Sequence, residues 1–115
     1  MPSYYPVYLN LRDRRCIVVG GGTEAERKAQ GLLDCGAKVI VVSPEVTPVL
    51  NDLAARKLID WEPRVYRNGD LEGAFMAISD NVDSRIYQEV AVEAEQRGIL
   101  LNVTDVTALC NFIAP

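Results

Sequence analysis

The stretch CIVVGGGTEAERKA, residues 16 to 29, constrains this chain more than any other. An apolar, β-branched run stops at three consecutive glycines and passes at once into a helical pattern. Gly20, Gly21 and Gly22 carry no side chains, so the amides at the start of the helix lie bare. The helix dipole there favours an anion. Gly20, Gly22 and Ala25 read G-x-G-x-x-A. In that pattern Gly20 permits a tight turn, Gly22 lets the backbone approach a pyrophosphate, and Ala25 lets the helix pack close to the strand. A purely structural glycine turn is the alternative.

The rest of the chain repeats strand and helix signals. RCIVV (15–19) reads as a buried strand. A helix follows from Thr23, with Ala25, Ala29, Leu32 and Leu33 on one face, and Thr23 with Glu26 resembles a capping box. Gly36 supplies its stop. AKVIVVS (37–43) is a second strand. Thr47 and Pro48 open a second helix that carries Leu50, Leu53 and Ala54 on one face. LIDWEPR is a third, weaker strand, NGDLEG (68–73) is turn chemistry, and AFMAIS (74–79) is a fourth strand. DNVDS caps a third helix with Ile86, Val90 and Ala94 on one face, ending before Gly98, and ILLNV (99–103) is a fifth strand. The strands are continuous apolar runs rather than alternating ones, which suits a parallel sheet covered on both faces. Right-handed crossovers then give an α/β fold, a Rossmann-like doubly wound parallel sheet of order 3-2-1-4-5, with the whole chain, residues 1–115, as a single NAD-binding domain.

Ligands of such sheets bind outside the carboxyl ends of the strands. That rule selects Gly20, Gly21 and Gly22 after the first strand, then Ser43, Pro44 and Glu45 after the second. It also selects Ser79, Asp80 and Asn81 after the fourth and Thr104 and Asp105 after the fifth. A dinucleotide site for NAD commonly has Asp or Glu at the end of the second strand; Ser43 stands there, with Glu45 two positions on. No arginine follows immediately, so NAD is the expected cofactor over NADP. Asp105 is the candidate for chemistry, with a turn aspartate bonded to its own backbone as the alternative. Asp80 and Asp83 compete with it, and their alternative is helix capping.

Composition narrows the chemistry further. The 115 residues fit one domain, and at 49% hydrophobic the chain can fill a core. The net charge of −4, without a block of like charges, points away from nucleic acid. Arg12, Arg14, Arg15, Arg27 and Lys28 do gather early, as a solvated face or an anion site. There is no histidine, which removes His–Ser and His–Cys pairs, histidine metal ligands and histidine proton shuttles. Cys16, Cys35 and Cys110 are odd in number and widely spaced. They read as reduced, small apolar residues of a cytoplasmic protein, and no apolar run approaches a membrane span.

The stretches YYPVYLNLRDRRCIVVGGGTEAERKAQGLLDCGAKVIVVSPE, DLEGAFMAI and ILLNVTDVTALCNFIAP together resemble the precorrin-2 dehydrogenase/sirohydrochlorin ferrochelatase family, the N-terminal region of siroheme synthase. The likeness runs over essentially the whole chain. Its most specific parts are Pro-x-x-x-x-Leu before VVGGG, the GGGTEAERKA turn, and NVTD…FIAP. The resemblance implies NAD-dependent oxidation of precorrin-2 to sirohydrochlorin and, in many members, insertion of ferrous iron, a substrate held by the four ring nitrogens. It assigns the catalytic aspartate to Asp105, and NAD contacts to Thr23, Glu24, Pro44 and Glu45. The tetrapyrrole carries many carboxylates, and the early arginines are candidates for holding it. The resemblance further implies dimerisation and helical regions after position 115, and a homodimer for the full-length member. This chain departs from the family at SDNVDSRIY, where Tyr87 occupies the place of an asparagine. A nucleotide-sensing regulatory module and a catalytically inactive relative are the alternatives.

Overall fold

A computed structural model describes residues 3–114; the ends of the expected 1–115 domain, residues 1, 2 and 115, lie outside them. Five strands form one sheet: β1 (Arg15–Val19), β2 (Lys38–Val42), β3 (Asp60–Glu62), β4 (Met76–Ser79) and β5 (Leu100–Val103). Three helices connect them: α1 (Thr23–Asp34), α2 (Pro48–Ala55) and α3 (Ser84–Arg97). The sheet order is β3-β2-β1-β4-β5, and every pairing is parallel. This is the order expected from the sequence, with the switch point between β1 and β4.

The continuous apolar strands serve both faces because successive side chains point to opposite sides. Cys16 and Val18 join Val39, Val41 and Ile78 on one face, covered by Ala25, Ala29 and Leu32 of α1 and Leu50 of α2. Ile17 and Val19 join Ile40, Val42 and Ala77 on the other, covered by Val90 and Ala94 of α3. Each fully buried aliphatic side chain contributes roughly 1.5–3 kcal/mol. The Pro6-x-x-x-x-Leu11 pattern acquires a physical meaning here: Leu11 is buried in the first face, and Asp13 N–H donates to Gly36 C=O at 2.9 Å.

The connection from β3 to β4 has no helix, in keeping with the NGDLEG turn chemistry. Tyr66, Leu71 and Ala74 take a helix's place on the second face. A buried carboxylate holds them. Glu93, 1% exposed on α3, accepts from the Tyr66 hydroxyl, from Gly69 N–H at 3.0 Å, from Leu71 N–H at 3.2 Å and from Arg97 Nε at 2.7 Å. The guanidinium of Arg64 closes the same loop by gripping both oxygens of Asp70, at 2.8 and 2.7 Å.

Thr47 caps α2 by accepting from Leu50 N–H at 3.2 Å, and Asp83 caps α3 by accepting from Arg85 N–H at 3.0 Å. The expected capping box at Thr23 and Glu26 does not form. Thr23 is already the first helical residue and Gly22 is the N-cap, so no side chain caps α1. The third strand is also shorter than LIDWEPR suggested, because Leu58 is exposed and Pro63 donates no ladder hydrogen bond.

Candidate functional site

The carboxyl ends of β1, β2 and β4 open onto a cleft of about 450 Å³. Its floor is Gly20–Gly22, and Ser43, Pro44 and Glu45 form one wall. Asp80 and Asp83 face them after β4, and Tyr66 and Ile86 supply apolar surface. The three glycines play three different parts. Gly20 has φ +126°, and a Cβ there would overlap the Asp80 carboxyl group, with Cγ at 2.7 Å. Gly21 sits under the β2–α2 loop: a Cβ would overlap the Glu45 carbonyl and lie 2.8 Å from Ser43 Oγ. The Gly21 carbonyl also accepts from Thr47 N–H at 3.0 Å. A Cβ on Gly22 would meet nothing of the protein within 4 Å. Gly22 thus leaves room that the chain itself does not fill. It stands at the amino end of a helix with no side-chain cap. Bare amides beside open space are what a pyrophosphate needs, so the residues present fit a dinucleotide. Ala25, buried against the sheet, completes the pattern.

The β2–α2 loop is tightly built. Ser43 Oγ donates to the Glu45 carbonyl at 2.7 Å, and the Ser43 carbonyl accepts from Trp61 Nε1 at 2.8 Å. Ser43 is therefore buried and occupied with holding the loop, while Pro44 and Glu45 are exposed on the cleft wall. Among the described residues no lysine or arginine lines this cleft, and its charged groups are Glu45, Asp80 and Asp83. Burial pushes the Asp80 carboxyl above its ordinary value. The Val82 N–H, donating at 3.3 Å, pulls it down, and the nearby Asp83 pushes it up again. Asp83 caps α3, as its alternative reading had it.

Asp105 stands elsewhere. With Glu24, Arg27 and Lys28 of α1, and with Thr104 and Thr107, it lines a separate concavity of about 250 Å³ between α1 and the chain's last residues. The two concavities share no lining residue. Thr23, exposed, lies between Gly22 of the one and Glu24 of the other. Of the fourteen candidates named at the carboxyl edge by sequence, eight line the cleft, Glu24, Thr104 and Asp105 line the second concavity, and Thr23, Ser79 and Asn81 line neither. Asp105 is exposed, with φ +62°, a left-handed conformation that aspartate adopts more readily than most residues. Among the described residues its side chain makes no hydrogen bond, so it is not an aspartate bonded to its own turn. The early arginines divide. Arg12 and Arg14 precede β1 and Arg15 is its first residue, so all three stand at the opposite, amino edge of the sheet, about 13 Å from its carboxyl end along the strand. They do not reach either concavity; Arg27 does.

Tyr66, Val65 and Ile86 on the cleft wall were not singled out by sequence. Ile86 carried a signal, the apolar face of α3, whereas Tyr66 and Val65 sit in a connection with no periodicity to read. No helix among the described residues is long and apolar enough to cross a membrane.

The model of an NAD(P)-binding family, NAD_binding_7, matches residues 7–115. Siroheme synthase of Chromobacterium violaceum is 42% identical over 113 residues, 98% of this chain and 24% of that one. Siroheme synthase of Methylobacillus flagellatus is 42% identical over 110 residues, 96% of this chain and 24% of that one. The chain thus spans about a quarter of the length of the curated relatives it matches. Among solved structures, SirC, a precorrin-2 dehydrogenase, is similar with a TM-score of 0.87 and 29% identity, covering 97% of this chain and 55% of that chain.

Proposed function

The chain belongs to the NAD(P)-binding family NAD_binding_7, and from that membership and its similarity to siroheme synthases and to SirC we propose that it is the NAD-binding domain of a precorrin-2 dehydrogenase, oxidising precorrin-2 to sirohydrochlorin in siroheme biosynthesis. One observation carries the reading. The uncapped glycine turn and Asp105 come to the same carboxyl edge of the sheet, on a backbone like that of SirC.

The amides at Gly22, Thr23 and Glu24 receive the pyrophosphate, and Glu45 accepts from ribose hydroxyls, with Ser43 fixing the loop that carries it. A cleft whose charges are all acidic favours NAD over a cofactor bearing a further phosphate. NAD, when bound, supplies the hydride acceptor. Removing a hydride from the macrocycle leaves a proton to be taken, and Asp105, without another partner among the described residues, is the base that takes it. Ferrous iron enters the same scheme as a second substrate. The ring nitrogens hold it, Asp105 accepts the protons it displaces, and no histidine is required. A homodimer of the full-length protein and a cytoplasmic location, in keeping with three free cysteines, belong to the same proposal.

The test mixes the protein with precorrin-2 and NAD⁺ in the absence of air and follows sirohydrochlorin absorbance, with Asp105→Ala in parallel. Turnover that requires NAD⁺ and fails in the variant supports the reading. A second reading, a nucleotide-sensing module, is favoured by the separation of Asp105 from the glycine cleft. It predicts saturable NADH binding with no turnover in either protein, a result that removes the dehydrogenase assignment.

A further inference from the structure

We infer that Lys28 is a substrate-binding residue, pairing with a peripheral carboxylate of a polycarboxylate macrocycle whose core faces Asp105. The inference rests on the proposed function and adds to it the group that orients the substrate.

The argument begins on α1. Glu24 and Lys28 stand four positions apart with the acid first, the favourable arrangement for a helical ion pair. That pair does not form. Glu24 is taken by Arg27, three positions on. Among the described residues this leaves Lys28 with neither an ion pair nor a side-chain hydrogen bond, although it is half-buried. A half-buried lysine without a partner leaves its ammonium available to an anion.

Across the concavity, Asp105 is equally without a partner among the described residues. The two lie in one small depression of opposite formal charges, yet they are farther apart than the 4 Å of an ion pair. A ligand that only cancelled charge could be any small zwitterion. Polar Asn102, Thr104 and Thr107 line the rim with them, so the site accepts hydrogen-bonding surface as well as charge. A ligand with carboxylates at its edge and N–H or C–H acids at its centre satisfies both ends at once, the edge on Lys28 and the centre on Asp105. The oxidation substrate of the proposed function has that layout. The same geometry explains why Arg12, Arg14 and Arg15 are not the anchors: they stand at the other edge of the sheet.

The experiment titrates sirohydrochlorin, by absorbance, into the wild-type chain, Lys28→Gln, Lys28→Arg and Arg12→Gln, and titrates NADH into each by fluorescence. The expected result is sirohydrochlorin affinity about tenfold weaker for Lys28→Gln, the scale of one charge-assisted hydrogen bond. Lys28→Arg stays within about threefold of wild type, and Arg12→Gln, with the same loss of charge, does not change. NADH affinity is the same in all four, which also shows that each is folded. Equal sirohydrochlorin affinity in wild type and Lys28→Gln overturns the role of Lys28 and leaves the proposed function standing. An equal loss in Arg12→Gln overturns it too, since net charge rather than position would then be responsible. A wild-type chain that binds NADH but no sirohydrochlorin overturns the proposed function and this inference with it.

Discussion

The Tyr66 hydroxyl donates to the buried carboxylate of Glu93 across a sequence separation of 27 residues, tying the helix-free crossover to α3. The same carboxylate takes two backbone N–H groups and Arg97 Nε, so four donors converge on one residue. Burial alone would push Glu93 up. The hydrogen bonds from Tyr66, Arg97, Gly69 and Leu71 outweigh it and hold the carboxyl below its ordinary value.

Glu93→Gln keeps the shape and removes the charge, leaving Arg97 unpaired at the edge of the core. The expected cost is about 2–4 kcal/mol at pH 7. The sign of the pH dependence follows from the depressed value. The stabilisation by Glu93 is complete above the carboxyl's unfolded value and is lost as pH falls through its lower folded value. Urea unfolding should therefore show a gap between wild type and Glu93→Gln that is full at pH 7 and narrows in acid below the ordinary carboxylate range. A gap that is absent at pH 7, or that stays constant into acid, contradicts the account. Tyr66→Phe removes one donor only and costs less, about 1–2 kcal/mol.

Gly21 and Gly22 are neighbours with opposite predictions. Gly21→Ala drives a Cβ into the Glu45 carbonyl, so the β2–α2 loop must shift and the protein loses stability, by at least about 2 kcal/mol. Gly22→Ala meets no protein atom and has φ −85°, which alanine adopts freely. Its unfolding free energy should stay within about 1 kcal/mol of wild type. NADH affinity should nevertheless fall at least tenfold, because the added methyl group occupies the approach to the bare amides. Unchanged NADH affinity in a folded Gly22→Ala protein would mean that the pyrophosphate does not lie there.

These two glycines also mark how far the sequence could be read. The G-x-G-x-x-A spacing names Gly20, Gly22 and Ala25, because each answers to a general feature of strand–turn–helix geometry. Gly21 is fixed by a loop from elsewhere in the chain, and no local pattern announces that contact. The sheet order was legible because continuous apolar strands and right-handed crossovers leave few alternatives. Glu93 was not. It sits among Glu89, Glu95 and Arg97 on what reads as a solvated helix, and only the arrival of Tyr66 and the loop turns it inward. The separation of Asp105 from the glycine cleft was hidden for a related reason. Both are at strand carboxyl ends, but β5 lies two strands from β1, about 10 Å away, and the chain's last residues wall off a space of their own.

Cys16 and Cys35 should differ sharply toward a thiol reagent. Cys16 is fully buried in β1, and burial raises its thiol to about 11 despite the opposing pull of Arg14. Cys35 is exposed at the end of α1. An Ellman assay on native protein at pH 8 should therefore label Cys35 quickly and Cys16 only on unfolding, with Cys35→Ser removing the fast phase. Rapid labelling of Cys16 in native protein would show that the first-face core opens far more readily than its packing implies.

Asp80 offers the most direct probe of the cleft. Its carboxyl is pushed up by burial beside the glycine turn, with Asp83 nearby, so ionisation is disfavoured in the folded state. The sign is the reverse of that for Glu93. A carboxyl raised on folding opposes stability above its folded value, and the penalty fades as pH falls through that value to the unfolded one. Asp80→Asn keeps an oxygen for the Val82 N–H and removes the charge. At pH 7 it should gain stability, by no more than several tenths of a kcal/mol because Asp80 is partly solvated and screened. That gain should vanish in acid. The larger effect falls on the ligand. Removing a negative charge from beside the turn that receives a pyrophosphate should tighten NADH binding about three- to tenfold, an effect that shrinks at high salt. Calorimetric titration of NADH at low and high ionic strength measures both quantities. Weaker binding in Asp80→Asn would mean instead that the carboxylate accepts from a ribose hydroxyl, and that the dinucleotide runs across β4 closer to Asp80 than the amides of Gly22 alone require.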